Sequence, residues 1–218
     1  MFGNRKYPVK VKTLIVSGEK IIRTPVNLKL NIQELILYEG SFEQIFNQLR
    51  PLLDESSFPL RSIEFESKGV EDLEDLNHEV IKTAEKLFVK YRDDAQDMIR
   101  ACWDLPNQRV IIELKYSSVE DYIELIQKWK EADRPIGTHY SFIIIDRNPK
   151  EIYDSLKKDV IKKDKRWIVI PFTDQANLKI SRSSEELTFK VVRLPDVPVV
   201  TGKVKKSKKK SKPLANEQ

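Results

Sequence analysis

The sequence predicts an α/β fold: a degenerate, leucine-rich-repeat-like series of strands and helices, its parallel sheet carrying helices on one side and closed by a C-terminal β-meander. Three observations predict it. Strand-like runs recur with centres near Ile36, Ile63, Phe88, Ile112 and Ile143, at intervals of 27, 25, 24 and 31 residues, the period range of strand–helix repeats. Apolar residues at helical spacing lie between those runs, and strands joined by helical crossovers favour parallel pairing. From Arg166 onward the pattern changes to short strands split by polar turns. The intervals are uneven and the asparagine ladder of standard leucine-rich repeats is missing, so an ordinary open α/β sheet is the competing architecture.

The elements follow in order. Val9–Val16 alternates, is rich in β-branched residues and stops at Ser17-Gly18, as a half-buried strand does. Ile21–Leu30 and Glu34–Tyr38 read as a second pair of runs. Ser41 stands at an N-cap ahead of Phe42, Ile45, Phe46 and Leu49 at helical spacing, and Pro51 ends or kinks that helix. Leu60–Glu66 alternates as a strand. An acidic loop, Glu71–Asn77, leads to a short helical pattern over His78–Ala84 and then to the strand Lys86–Tyr91. Asp93 or Asp94 caps a helix bearing Ala95, Met98, Ile99 and Cys102. A turn at Leu105-Pro106-Asn107 opens the strand Arg109–Lys115. Ser118 caps the clearest helix, with Tyr122, Ile123, Leu125, Ile126 and Trp129 on or near one face.

Gly137 interrupts the pattern before the strand Tyr140–Ile145. Asn148 or a neighbour opens a helix through Ile152, Tyr153 and Leu156. The meander comprises Arg166–Phe172, Ala176–Ile180 and Glu185–Val192. It is placed to cap the open end of the preceding sheet. Pro195 and Pro198 close the ordered part. Two regions result: a strand–helix domain with its meander over residues 1–202, and a disordered Lys-rich tail over 203–218.

Alternation along a parallel sheet sends Leu35, Leu37, Ile63, Phe65, Leu87, Val89, Ile112 and Leu114 into the core. Tyr38, Glu64, Phe88, Lys90, Glu113 and Lys115 then share the outer face. They mix aromatic anchors with both charge signs, as protein-binding surfaces do. These six are the candidate partner-binding residues. A slip of one residue would exchange the two sets.

Composition narrows the class. Hydrophobic content of 40% and charged content of 33% over 218 residues suffice for one good core. No apolar run approaches the ~20 residues of a spanning helix, and the N-terminus carries no apolar segment of signal-peptide type. The single Cys102 forms no internal disulfide, which fits an intracellular protein, cytoplasmic or nuclear. The net charge of +5 is uneven: seven lysines against Glu217 give residues 203–218 a charge of +6, leaving −1 for residues 1–202.

Catalytic chemistry is not legible. His78 and His139 have no metal-site spacing around them, and Cys102 has no CxxC partner. With six glycines the chain carries no phosphate-binding loop and no nucleophile elbow. The acidic clusters Glu71–Asp75 and Asp93–Asp97 lack the ligand alternation of a calcium loop and read as solvated loop and helix cap. No enzyme activity, metal or cofactor is therefore expected. The tail lysines 203, 205, 206, 208, 209, 210 and 212 (Lys203, Lys205, Lys206, Lys208, Lys209, Lys210 and Lys212) form the strongest local charge run. They suit nuclear import, nonspecific phosphate contact, anionic membrane contact or plain solubility. No aromatic residue interleaves them to stack on bases.

Several stretches resemble the F-box-associated C-terminal domains expanded in nematodes: Gly3-Asn4-Arg5 followed by Val9–Val16, Ser57-Phe58-Pro59-Leu60, His78–Val89, Leu105–Val110, and Ser118–Phe142 with its WKEADRPIGTHYSF segment. Together they span most of residues 3–145. The resemblance implies a substrate- or partner-binding module of the kind that follows an F-box, the helical segment that docks on the adaptor of a cullin-type ubiquitin ligase. Met1 stands only a few residues before the resembling region, so the F-box is expected to be missing and the chain to be a fragment or a stand-alone member. The expected function is protein binding, with ligase recruitment doubtful. The alternative is a nuclear nucleic-acid-associated protein acting through its tail.

Overall fold

The computed structural model of the protein describes residues 7–18, 25, 27–145, 149–157 and 160–194. Ten strands form one sheet in the order β1-β2-β3-β4-β5-β6-β10-β9-β8-β7. The first six are β1 (Val9–Ser17), β2 (Leu30–Tyr38), β3 (Ser62–Ser67), β4 (Lys86–Tyr91), β5 (Arg109–Leu114) and β6 (His139–Ile144). They pair parallel in chain order. Helices α1 (Phe42–Leu49), α2 (Glu79–Thr83), α3 (Ala95–Ala101) and α4 (Val119–Glu131) lie in the crossovers, and α5 (Pro149–Ser155) follows β6. The meander β7 (Lys162–Lys163), β8 (Trp167–Pro171), β9 (Ala176–Arg182) and β10 (Glu186–Arg193) is antiparallel and joins the sheet through its last strand, β10 against β6. The parallel sheet and its closing meander thus stand as the sequence predicts.

The predicted register holds. Leu35, Leu37, Ile63, Phe65, Leu87, Val89, Ile112 and Leu114 are all buried, and they share one cluster with the buried residues of the helices. Strand-on-strand stacking aligns them, with Leu35, Ile63 and Leu87 directly paired across β2, β3 and β4. Of the residues predicted for α4, Tyr122, Leu125, Ile126 and Trp129 are buried, but Ile123 is exposed because it lies off the core-facing stripe.

Local signals explain the helix starts. Ser118 and Asp121 exchange hydrogen bonds in a capping box at α4. Asp94 rather than Asp93 caps α3, accepting from the Gln96 amide at 3.0 Å. His78 caps α2, its Nδ1 accepting from the Val80 amide at 3.2 Å while its ring packs edge-on against Phe42 and Phe46. Gly137 adopts φ 99°, a left-handed conformation that L side chains rarely adopt, so the break before β6 favours glycine.

Three expectations are corrected, and one strand is added. Among the described residues of the run 21–30, namely 25 and 27–30, only Leu30 enters a strand, as the first residue of β2; residues 21–24 and 26 lie outside the described residues. The segment expected as an acidic loop is a 3-10 helix, Val70–Asn77, because Leu73 and Leu76 are drawn to the core. Ser41 occupies the N-cap of α1 as expected, but its hydroxyl makes no bond to the helix; the carboxylate of Asp75 does so instead. The two-residue strand β7 has no apolar alternation to announce it. Among the described residues no helix is long and apolar enough to cross a membrane.

Candidate functional site

The outer face of the sheet, opposite the helices, is organised in rows that run across the strands. The middle row pairs Ile15, Ile36, Glu64, Phe88 and Ile111 from β1 to β5. Ile15 is exposed, and the other four are half-buried. The row toward the strand C-termini carries Glu66, Lys90, Glu113 and Ile143 in direct register, with Tyr38 at the matching end of β2.

Five of the six predicted residues lie on this face. Tyr38, Glu64, Phe88 and Lys90 form one cluster. The Lys90 ammonium pairs with Glu64 at 2.9 Å and lies 5.2 Å and 5.4 Å from the ring centres of Tyr38 and Phe88. The bond to Glu64 raises the Lys90 pKa above its ordinary value, against the opposing effect of burial. Glu113 stands beside Lys90 across the β4–β5 pair but bonds Arg92, whose guanidinium bridges Glu66 and Glu113 at 3.1 Å each. Lys115 lies past the end of β5, exposed, with its ammonium over the adjacent Tyr116 ring at 5.3 Å. It is not part of the cluster.

Sequence reading missed the third row, at the N-terminal ends of the parallel strands. Lys86, Arg109, His139, Lys190 and Lys179 occupy directly paired positions on β4, β5, β6, β10 and β9. The signal was available: Lys86, Arg109 and His139 each open a strand. Only β10 pairing with β6, a long-range fact, adds Lys190 and Lys179. Beside this row a groove of about 710 Å³ lies across the starts of β3, β4 and β5, with Arg61, Lys82, Lys86 and Arg109 facing Glu34 and Glu85. Burial, then the neighbouring Lys190 and Arg109, holds the His139 pKa below its ordinary value, with Glu186 acting in the opposite sense.

Two further titratable side chains, Cys102 and Tyr91, are buried. Cys102 is fully buried and burial pushes its thiol pKa up. Burial and nearby Asp93 raise Tyr91 to about 12. Among the described residues no group of three or more His, Cys, Asp or Glu side chains is arranged to hold a metal. The basic tail, Lys203 to Lys212, lies outside the described residues.

A family model described as a domain of unknown function (DUF3557) matches residues 1–146, ending just after β6. Neither a curated protein nor a solved structure matches the chain.

Proposed function

The chain belongs to the DUF3557 family of domains of unknown function, and from that premise we propose that it is a protein-binding module whose docking surface is the outer face of the sheet. What supports this reading is the cluster of Tyr38, Glu64, Phe88 and Lys90 beside the half-exposed Ile36 and Ile111. Aromatic rings held rigid by a buried-edge cation lose little freedom when a partner covers them, and such anchors carry most interface energy. The resemblance to F-box-associated domains points the same way and makes a ubiquitin-ligase substrate one class of partner.

The test starts from a partner identified by photo-cross-linking through a benzoylphenylalanine at Ile111, with a second probe at exposed Ile123 on the helical side as control. With that partner purified, Tyr38→Ala, Phe88→Ala and Lys90→Ala together should weaken binding at least tenfold, about 1.4 kcal/mol, with native circular dichroism. Equal cross-linking at both positions, or unchanged affinity in the folded triple variant, contradicts the proposal. A nucleic-acid adduct that vanishes on deletion of residues 203–218 favours the nuclear alternative.

A further inference from the structure

We propose that the basic row on the outer face recognises an acidic amphipathic helix of the partner, its carboxylates set over Lys86, Arg109 and Lys190 and its apolar flank over Ile36, Phe88 and Ile111. The inference rests on the protein-binding reading and adds the chemistry of the partner.

The main observation is a conflict within the sheet. Lys86 stands beside Arg109, and Lys190 directly opposite Lys179, in cross-strand register. Like charges so placed destabilise a sheet. Among the described residues no carboxylate lies within ion-pair distance of Lys86, Arg109, Lys179 or Lys190. At the other end of the same strands the signs do alternate, in the Glu64–Lys90 pair and the Glu66–Arg92–Glu113 bridge. The face therefore pairs its charges at one end and leaves this row without an ion-paired carboxylate among the described residues, Lys179 lying over the Trp167 ring at 5.1 Å. Local arrangements that oppose folding concentrate at functional sites.

Geometry selects the occupant. The row crosses β4, β5, β6, β10 and β9, four strand spacings of ~4.8 Å, or roughly 19 Å in all. Acidic residues at i, i+3 and i+4 on a helix lie about 5–6 Å apart, close to that spacing. Alternate residues of an extended chain, at roughly 6.6 Å, match it less well. A helix about 10–12 Å across covers the basic row and the apolar row one register step away at once. Glu64, Glu66, Glu113 and Glu186 flank the row on the same face, which suits a ligand with one acidic edge and disfavours a nucleic-acid duplex charged on all sides. The groove adds Arg61 and Lys82 beside Lys86 and Arg109 toward β3, with Glu34 and Glu85 also in its lining.

The experiment uses the full chain and a fluorescent 21-residue helical peptide with Glu along one stripe and Leu along the adjacent one. Three controls accompany it: the same peptide with Lys for Glu, one with Gln for Leu, and a DNA duplex of about 20 base pairs. The acidic amphipathic peptide should bind best. The variant Lys86→Glu, Arg109→Glu and Lys190→Glu should lose at least tenfold in affinity with its melting temperature not lowered. The tail is common to both proteins, so their difference reports the row. A loss smaller than tenfold, or equal binding of the Lys peptide, overturns the proposal. If that happens while a partner cross-linked at Ile111 still depends on Tyr38 and Phe88, the protein-binding reading stands and only the partner's chemistry is wrong. Duplex binding that depends on the row overturns both.

Discussion

The carboxylate of Asp75 accepts the backbone N–H of Phe42 at 2.8 Å and closes the first turn of α1 from a segment 33 residues further along the chain. It also accepts from the Glu43 amide at 3.3 Å and from the Ser41 hydroxyl. A negative charge at a helix N-terminus gains from the helix dipole as well as from the bonds. Replacing Asp75 with Ala is expected to cost about 1–3 kcal/mol, while Ser41→Ala, which removes no bond to the helix, should cost less. Urea unfolding of the two variants checks the order; equal losses would show that Ser41 is the working cap.

This cap marks the boundary of what was legible in the sequence. Ser41 has the residue type and position of an N-cap, so local reading assigns it the bond. The Val70–Asn77 turn delivers Asp75 by tertiary packing, which no local pattern reports. The core register was legible because Ile63 stands between polar Ser62 and Glu64, and Leu35, Leu87 and Ile112 each have one polar neighbour, in strands of period two. The Tyr38–Phe88–Lys90 cluster followed from that alternation. The basic row did not, since Lys190 and Lys179 come from the meander and its attachment to β6 is a matter of topology. Lys115, which alternation assigned to the same face, lies one residue past the end of β5 and over the Tyr116 ring.

Arg134 is a second hidden support. Its guanidinium donates to the backbone carbonyls of Leu105, at 2.7 Å, and Trp103, and lies near the Trp129 ring, while the Tyr140 hydroxyl donates to the same Leu105 carbonyl at 3.1 Å. Arg134→Ala strips one buried and one part-buried carbonyl of a charged donor and should cost about 2–3 kcal/mol. Arg134→Lys should recover only part of that, because one ammonium cannot reproduce the planar fork. Thermal unfolding of the pair decides; full rescue by Lys would mean that charge alone matters.

His139 should make the protein less stable in mild acid. Its folded pKa lies below the ordinary 6.5, so between the two values the unfolded chain binds more protons and stability rises with pH. The contribution is complete above about 6.5 and is lost as the pH falls toward the folded pKa. His139→Gln should therefore flatten the melting temperature between pH 7 and pH 5 relative to the parent protein. An unchanged slope would show that the imidazole titrates normally.

Cys102 should be unreactive until the chain unfolds. It is fully buried on the core side of the α3 terminus, and its thiol is held protonated by burial despite the nearby Arg134. Only the thiolate attacks disulfide reagents. At pH 8 a chromogenic disulfide should label the native protein at the rate of global opening and label it at once in denaturant. Rapid labelling of the native protein would reveal local opening around α3.

Charge reversal should have opposite effects at the two ends of the outer face. Lys190 faces Lys179 directly and has no carboxylate partner among the described residues, so Lys190→Glu turns a repulsive cross-strand pair into an attractive one. The gain expected of such a change is about 0.2–1 kcal/mol. Lys90 is already paired with Glu64 at 2.9 Å and sits against Tyr38 and Phe88, so Lys90→Glu sets two carboxylates side by side and should lower stability. Melting temperatures at low salt should rise for the first variant and fall for the second, and both shifts should shrink at 0.5 M salt as screening shortens the reach of the charges. A stabilised Lys190→Glu protein that also binds the acidic peptide more weakly would separate folding from recognition at that position. A destabilised one would mean that the lysine row contributes to the fold itself, and the repulsion inferred from its register would then be absent.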